Sequence, residues 1–261
     1  LAALDIGLWD VVGKALGKPL YKVWGAVNDR IPAYGSGGWS NYSLGHLVTE
    51  AEKYVGTMGC RYYKMKIHHD DPRENAKRVA AVHKAIGGKA RMMVDVNQRL
   101  DVLNTLRQAQ MLEEFDLVWY EEPVLADDLS ALQQVAEKIR IPIATGENAF
   151  TRWEFRDIID RRGASYLMPD VCRANGYSET MRIGRLAAAH QLQIAPHVAH
   201  EISLPVVGAL ANGFLVEYMD WHPDDLFEET PQCKDGEFRI GAKPGHGIAF
   251  TAGALKKYKT Q

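Results

Sequence analysis

Short apolar runs of strand type alternate along most of this chain with longer amphipathic segments whose apolar positions recur at helical spacing. The runs fall at 31–36, 62–67, 91–97, 118–121, 143–147, 166–170, 193–197 and 214–218. The amphipathic segments between them fall at 44–58, 72–86, 102–115, 129–139, 152–161, 177–190 and 204–211. Eight strands joined by seven helices, with no Gly- or Pro-rich linker dividing the series, predict an α/β fold in which parallel strands close as a barrel. An open doubly wound sheet shares the alternation but needs a glycine-rich turn leading into a helix. The nearest candidate, Gly35-Ser36-Gly37-Gly38, runs into Trp39 and not into a helix opening. Upstream, 1–16 reads as an amphipathic helix with Leu1, Leu4, Leu8, Val11, Val12 and Ala15 at helical spacing, and 20–24 as a short helical turn. No helix follows the last strand, so the opening helix is expected to fill that slot, between the first and eighth strands. Past 221 the rhythm stops. A hairpin is expected at Asp235-Gly236 and a turn at Pro244-Gly245-His246-Gly247. The reading divides the chain into a helical segment (1–30), a barrel (31–220) and a tail packing back on the barrel or on a further domain (221–261).

Composition narrows the class. The 261 residues suffice for a full-sized core, and 46% apolar with 25% charged residues is an ordinary globular balance. A formal charge of -2 gives no electrostatic case for nucleic acid or an anionic membrane as partner. The three cysteines, Cys60, Cys172 and Cys233, are far apart in sequence and form no metal-type spacing, which predicts reduced thiols in a cytoplasmic protein. The first residues are already helical in pattern with no capping residue before them, so a preceding segment is expected.

Chemistry enters through the strand ends. Asp95, Glu121, Glu147, Asp170 and His197 each end a successive predicted strand, and Glu217 lies within the last. One acidic strand end is commonly a helix cap. A series spaced about one βα unit apart places all of them at one mouth of the barrel. Asp95, Glu121 and Glu147 side by side repel one another unless a cation sits among them, and a hard all-oxygen set favours Mg²⁺. On the second strand, Lys64 and Lys66 share one face while Tyr63, Met65 and Ile67 share the other. Taken alone the lysines read as charges protecting an edge strand; beside the carboxylates they read as inward-facing. Mg²⁺ and Lys64 both disfavour a further positive charge on Lys66, which makes it a general base. His197 is its counterpart, oriented by Asp170. Two such groups flanking a cation suit removal of the proton next to a carboxylate, with Lys64 stabilising the developing oxyanion and Glu217 able to donate to it if protonated.

These residues resemble the enolase superfamily, mandelate racemase subgroup (mandelate racemase/muconate lactonizing enzyme-like). The resemblance runs from Ala3-Leu4-Asp5-Ile6-Gly7-Leu8-Trp9-Asp10 to Pro244-Gly245-His246-Gly247-Ile248. It rests on Lys64-Met65-Lys66, Val94-Asp95-Val96-Asn97, Glu121-Glu122-Pro123, Gly146-Glu147-Asn148, Pro169-Asp170 and Pro196-His197 in combination. It implies a modified TIM barrel of (β/α)7β type, with Mg²⁺ on Asp95, Glu121 and Glu147. Lys66 and the His197–Asp170 pair become the acid/base groups, and Lys64 the electrophile on the substrate carboxylate. Asn97 lies near the metal and a substrate hydroxyl, and Glu217 near the carboxylate. It also implies an N-terminal capping domain that is largely absent from this chain, and homo-oligomers.

Within the subgroup the expected reaction is dehydration of an acid sugar; two-base racemisation of a 2-hydroxy acid is the alternative. An inactive barrel fragment or binding module is the non-enzymatic one. Arg173 is a candidate for a distal substrate contact. Glu122 is expected to face away from the barrel interior, His200 to be structural, and His68 and His69 to be solvated. Cys172 lacks a partner base, and packing is the expectation for Trp221 and His222.

Overall fold

The computed structural model describes residues 1–223 and 225–259. Eight parallel strands carry the architecture: β1 (Arg30–Gly37), β2 (Tyr62–Lys66), β3 (Arg91–Asp95), β4 (Tyr120–Glu121), β5 (Ile143–Thr145), β6 (Tyr166–Leu167), β7 (Gln193–Ile194) and β8 (Val216–Tyr218). The helices are α1 (Ala2–Ala15), α2 (Leu20–Val23), α3 (Leu44–Glu52), α4 (Pro72–Ile86), α5 (Val102–Leu112), α6 (Leu129–Ala136), α7 (Arg152–Asp160), α8 (Tyr177–Ala189), α9 (His200–Ala209) and α10 (Ala252–Lys257). Strands β1 to β7 pair in sequence order, and β8 pairs with β1. That order has no reversal of the kind a doubly wound sheet requires. Between β7 and β8 the ladder is reduced to one bridge, Ile194 with Gly213. There Ile194 N donates to Asn212 O (2.9 Å) and Phe214 N to Ile194 O (2.8 Å).

Local chemistry sets the helix starts. The Ser43, Asp71, Asp101 and Asp128 side chains accept from the backbone N–H groups of His46, Arg73, Asn104 and Ala131, capping α3 to α6. Thr151 and Glu154 cap α7 reciprocally. The helix expected at 204–211 begins four residues earlier, at His200, so that Pro205 lies inside α9.

Strand alternation sorts the core into two shells. Tyr63, Met65, Ile67, Met92, Val94 and Val96 pack outward against the helices. Tyr34, Met93, Trp119, Ala144, Met168, Ala195 and Leu215 fill the barrel interior. Tyr62, Tyr166 and Phe214 close the N-terminal end, with Tyr166 stacked on Phe214 at 5.6 Å between ring centres. The interior is thus sealed below by aromatic rings, and its charged side chains lie above them.

The opening helix does not occupy the place expected for it. It packs against α2 and α8, not between β1 and β8. Asp5 Oδ2 accepts from Ser178 N (2.9 Å) at the start of α8, and Trp9 Nε1 donates to Ser178 Oγ (2.8 Å). Gly13 lies so close to the tail that a Cβ there would stand 2.6 Å from Gly245 Cα. These polar and steric contacts turn Asp5, Trp9 and Gly13 inward and leave Leu4, Leu8 and Val11 exposed. The tail forms the expected hairpin, β9 (Cys233–Lys234) and β10 (Glu237–Arg239), turning at Asp235 and Gly236 with φ of 53° and 76°. β10 adds antiparallel to the first half of β1, pairing Phe238 with Ile31.

Candidate active site

Register brings the site together. Lys66 is the ladder partner of Asp95, and Asp95 of Glu121, so three charged residues stand level on β2, β3 and β4. Glu147 comes from the turn just past β5, after Gly146, whose φ is +123°. A Cβ on Gly146 would lie 2.5 Å from the Phe155 ring, so the turn that presents Glu147 needs glycine on both counts. One carboxylate oxygen each of Asp95, Glu121 and Glu147 lie within 4.8 Å of one another, and all three residues are buried.

Lys64 is fully buried beneath them. Its Nζ lies 2.6 Å from Glu121 Oε1, 2.8 Å from Glu217 Oε1, 3.7 Å from Asp95 Oδ2 and 5.3 Å from the centre of the Tyr34 ring. Burial works against its charge, but Glu121 and Glu217 outweigh it and hold Lys64 protonated, with a pKa well above the usual lysine value. Lys66 Nζ hydrogen-bonds Asp95 Oδ2 and sits 5.9 Å from the centre of the Trp39 ring. Burial pushes the Asp95 carboxyl up, yet Lys66 and Lys64 prevail and hold it below the ordinary range. For Glu121, burial and then the Asp95 charge raise the carboxyl well above that range.

At the opposite end of the carboxylates, His197 Nδ1 is 3.0 Å from Asp170 Oδ2 and Nε2 is 3.2 Å from Glu147 Oε2. Burial disfavours the imidazolium, but the Asp170 hydrogen bond, Glu217 and Glu147 raise its pKa overall. Lys66 and His197 therefore flank the carboxylate triad.

Glu217 presents a correction. Its oxygens accept from Ser36 Oγ (2.7 Å) and Val198 N (2.9 Å) and face Lys64. Burial raises its carboxyl, but Lys64 and His197 overcome that and hold it ionised. Donation from Glu217 needs a protonated carboxyl, and Lys64, Ser36 and Val198 favour the ionised one. Asn97, at φ +46°, donates its backbone N–H to Asp95 Oδ1 (2.8 Å) and places Oδ1 2.9 Å from His68 Nε2. His68 is accordingly half-buried and engaged, not a solvated loop residue. Arg173 Nη1 donates to Glu147 O (3.1 Å) and Asn148 Oδ1 (3.0 Å), tying the loop after β6 to that after β5.

Two supporting side chains, Ser36 and Trp119, escape a sequence reading built on charged strand ends. Ser36 faces inward beside Lys64. Trp119, two residues before Glu121 and on the same face, donates Nε1 to Glu121 Oε2 (2.8 Å). Alternation back from Glu121 would have found Trp119, whereas Ser36 stands on another strand and is placed beside Lys64 only by register. Glu122 does face away, as expected, but it is buried, bonded to Thr145 Oγ1, and accepts from Gly146 N (3.1 Å). Burial pushes its carboxyl up to about 7. It holds the turn that carries Glu147.

The donor set fits a hard divalent cation. Five buried carboxyl groups, those of Asp95, Glu121, Glu147, Asp170 and Glu217, crowd against two lysines and one imidazole, and the raised Glu121 carboxyl marks the crowding that a cation would relieve. Glu147 Oε2 is buried without a well-formed hydrogen bond. All the convergent ligand atoms are carboxylate oxygens, the choice of Mg²⁺ over softer metals.

Comparison with known proteins follows the same lines. The family described as enolase C-terminal domain-like matches residues 46–254. L-talarate/galactarate dehydratase of Salmonella typhimurium is 32% identical over 266 residues, covering all of this chain and 65% of the relative. Arabinonate dehydratase of Saccharolobus solfataricus is 30% identical over 267 residues, 99% of this chain and 72% of the relative. The crystal structure of L-talarate dehydratase from Polaromonas sp. JS666, complexed with Mg and L-glucarate, superposes with a TM-score of 0.93 at 32% identity, over 100% of this chain and 72% of that one. The chain thus spans about two thirds of the length of the relatives it matches.

Proposed function

Since the chain belongs to the enolase C-terminal domain-like family, in the mandelate racemase/muconate lactonizing enzyme branch of the enolase superfamily, we propose that it is the catalytic barrel of a Mg²⁺-dependent acid-sugar dehydratase. The observation that carries the proposal is the placement of Lys66 and His197 at the two ends of the Asp95, Glu121 and Glu147 triad. The dehydratase names of its relatives support the choice of reaction.

Asp95, Glu121 and Glu147 would hold Mg²⁺, which would supply Lewis-acid stabilisation of the negative charge that develops on proton removal. Lys64, held protonated, stabilises the same charge from below. Lys66 takes the proton α to the carboxylate. His197, with Asp170 on Nδ1, presents Nε2 to the β hydroxyl and gives it a proton, so that it departs as water. The resulting enol tautomerises to a 2-keto-3-deoxy acid. Asn97 Nδ2 is free to meet a substrate hydroxyl, because Oδ1 is taken by His68. Arg173, half-exposed at the rim, reaches a distal hydroxyl or carboxylate. Assembly into homo-oligomers and a cytoplasmic location belong to the same proposal.

The test is incubation of the protein with Mg²⁺ and a panel of acid sugars. A 2-keto-3-deoxy product from at least one of them supports the proposal. No product, together with α-proton exchange in D₂O on a simple 2-hydroxy acid, assigns the two-base racemase instead. Absence of both reactions leaves a binding module.

A further inference from the structure

The segment that follows β1 presents a large aromatic ring at the barrel mouth and holds its backbone in place there. Trp39 is 40% exposed and joins none of the core clusters. Its backbone is nevertheless fixed from below. Arg78 of α4, itself buried, donates Nη2 to Trp39 O (3.1 Å) and Nη1 to Tyr42 O (2.8 Å). Tyr42 N also donates to Trp39 O (3.0 Å), closing the turn, and the Tyr42 ring stacks on His46 at 3.8 Å between ring centres. Just upstream, Gly38 N donates to Glu50 Oε2 (2.6 Å). Gly38 has φ of +67°, and a Cβ on it would stand 2.4 Å from Met65 Cβ, so the chain crosses close over β2 beside Lys66. The indole face is turned to that lysine, with Lys66 Nζ 5.9 Å from the ring centre.

We propose that Trp39 is the wall of the substrate site on the Lys66 side, its ring lying against the C–H bonds of the acid-sugar carbon chain. The inference rests on the proposed reaction, in which Lys66 takes the α proton. Proton transfer brings the α carbon to about 3–3.5 Å from Lys66 Nζ. A carbon chain delivered to Nζ from the mouth then runs along the indole face. That face is the electron-rich side of the ring, and the hydrogens on hydroxylated carbons carry partial positive charge, so the two attract. His197, at the other end of the carboxylate triad, meets the hydroxyl side of the same chain. One edge of the substrate is thus held by carbon and the other by hydrogen-bonding groups, which fixes the face that Lys66 addresses. The Arg78 clamp keeps the turn that carries the ring in register with β2.

The test is fluorine NMR on the protein labelled with fluorotryptophan, with the Trp39 signal assigned by its loss in Trp39→Phe. Mg²⁺ is brought to saturation first; a panel of pentonates, hexonates and hexarates is then titrated in, and product formation is read in the same samples. The Trp39 signal should shift with at least one acid sugar, with no matching shift of the exposed Trp153 on α7. In calorimetric titration, Trp39→Ala should weaken binding of that sugar by roughly 10–100-fold, and Trp39→Phe, which keeps a ring, by less. Both variants should keep the wild-type melting temperature, because the backbone anchors of the turn remain. A Trp39 signal that no acid sugar moves overturns the proposal, and so does wild-type affinity in Trp39→Ala. Movement without product upholds the wall and removes the dehydratase reading, whereas product without movement removes the wall alone.

Discussion

Lys64 Nζ lies 2.6 Å from Glu121 Oε1, and each side chain is only 1% exposed. A buried pair of this kind is costly to break from one side, because the remaining charge is left without a partner. Lys64→Met should therefore destabilise the protein by about 3–5 kcal/mol. Urea unfolding with and without Mg²⁺ checks this, with partial recovery expected when Mg²⁺ is added. Unchanged stability would mean that Lys64 does not neutralise Glu121 and Glu217.

Gly146→Ala should cost about 2–4 kcal/mol, combining positive φ with crowding against Phe155. Because the same turn presents Glu147, the variant should also weaken the response of the melting temperature to Mg²⁺. A stable variant with full Mg²⁺ response would show that the turn tolerates a side chain.

If Asp95, Glu121 and Glu147 hold Mg²⁺, binding stabilises the folded state by mass action, by about 2.7 kcal/mol at a hundredfold excess over Kd. Glu147→Gln should lose most of that gain in calorimetric titration and in melting experiments, and chelator should have little effect on this variant. Wild-type affinity in the variant would remove Glu147 from the ligand set.

The strand-end logic was legible because it depends on alternation alone: Lys64, Lys66, Asp95 and Glu121 follow from which face each residue takes. Strand lengths were less so. β6 ends at Leu167 and β7 at Ile194, while Asp170 and His197 lie on the loops beyond, where apolar character continues but pairing does not. The orientation of α1 was misleading, because its most apolar stripe, Leu4, Leu8 and Val11, is the exposed one. What binds the helix is Asp5 at the start of α8, Trp9 on Ser178, and a glycine contact, none of which hydrophobic spacing reports. Long-range partners were hidden for a similar reason. Ser36 and Glu217 are distant in sequence and their pairing carries no local signal.

Outside the site, burial and then His222 lower the pKa of His200 to about 3. An unfolded histidine titrates near 6.5, so between these values unfolding takes up a proton. Stability contributed by neutral His200 is complete above the unfolded value and falls as pH drops through this window, by up to about 1.4 kcal/mol per pH unit. Glu201, raised by burial, acts in the opposite direction, so the difference between wild type and His200→Phe is the informative quantity. Urea unfolding from pH 4 to 7 should show a shallower acid loss in the variant; parallel curves would contradict a buried neutral His200.

The central assignment is that Lys66 removes the α proton and His197 serves the leaving hydroxyl. Proton NMR in D₂O, with Mg²⁺ and an acid sugar that the wild type dehydrates, separates the two roles. Lys66→Ala should lose dehydration and α-proton exchange on that substrate together, by about 10²–10⁴-fold. His197→Asn should lose dehydration while exchange at the α carbon persists. Undiminished exchange in Lys66→Ala would contradict the account.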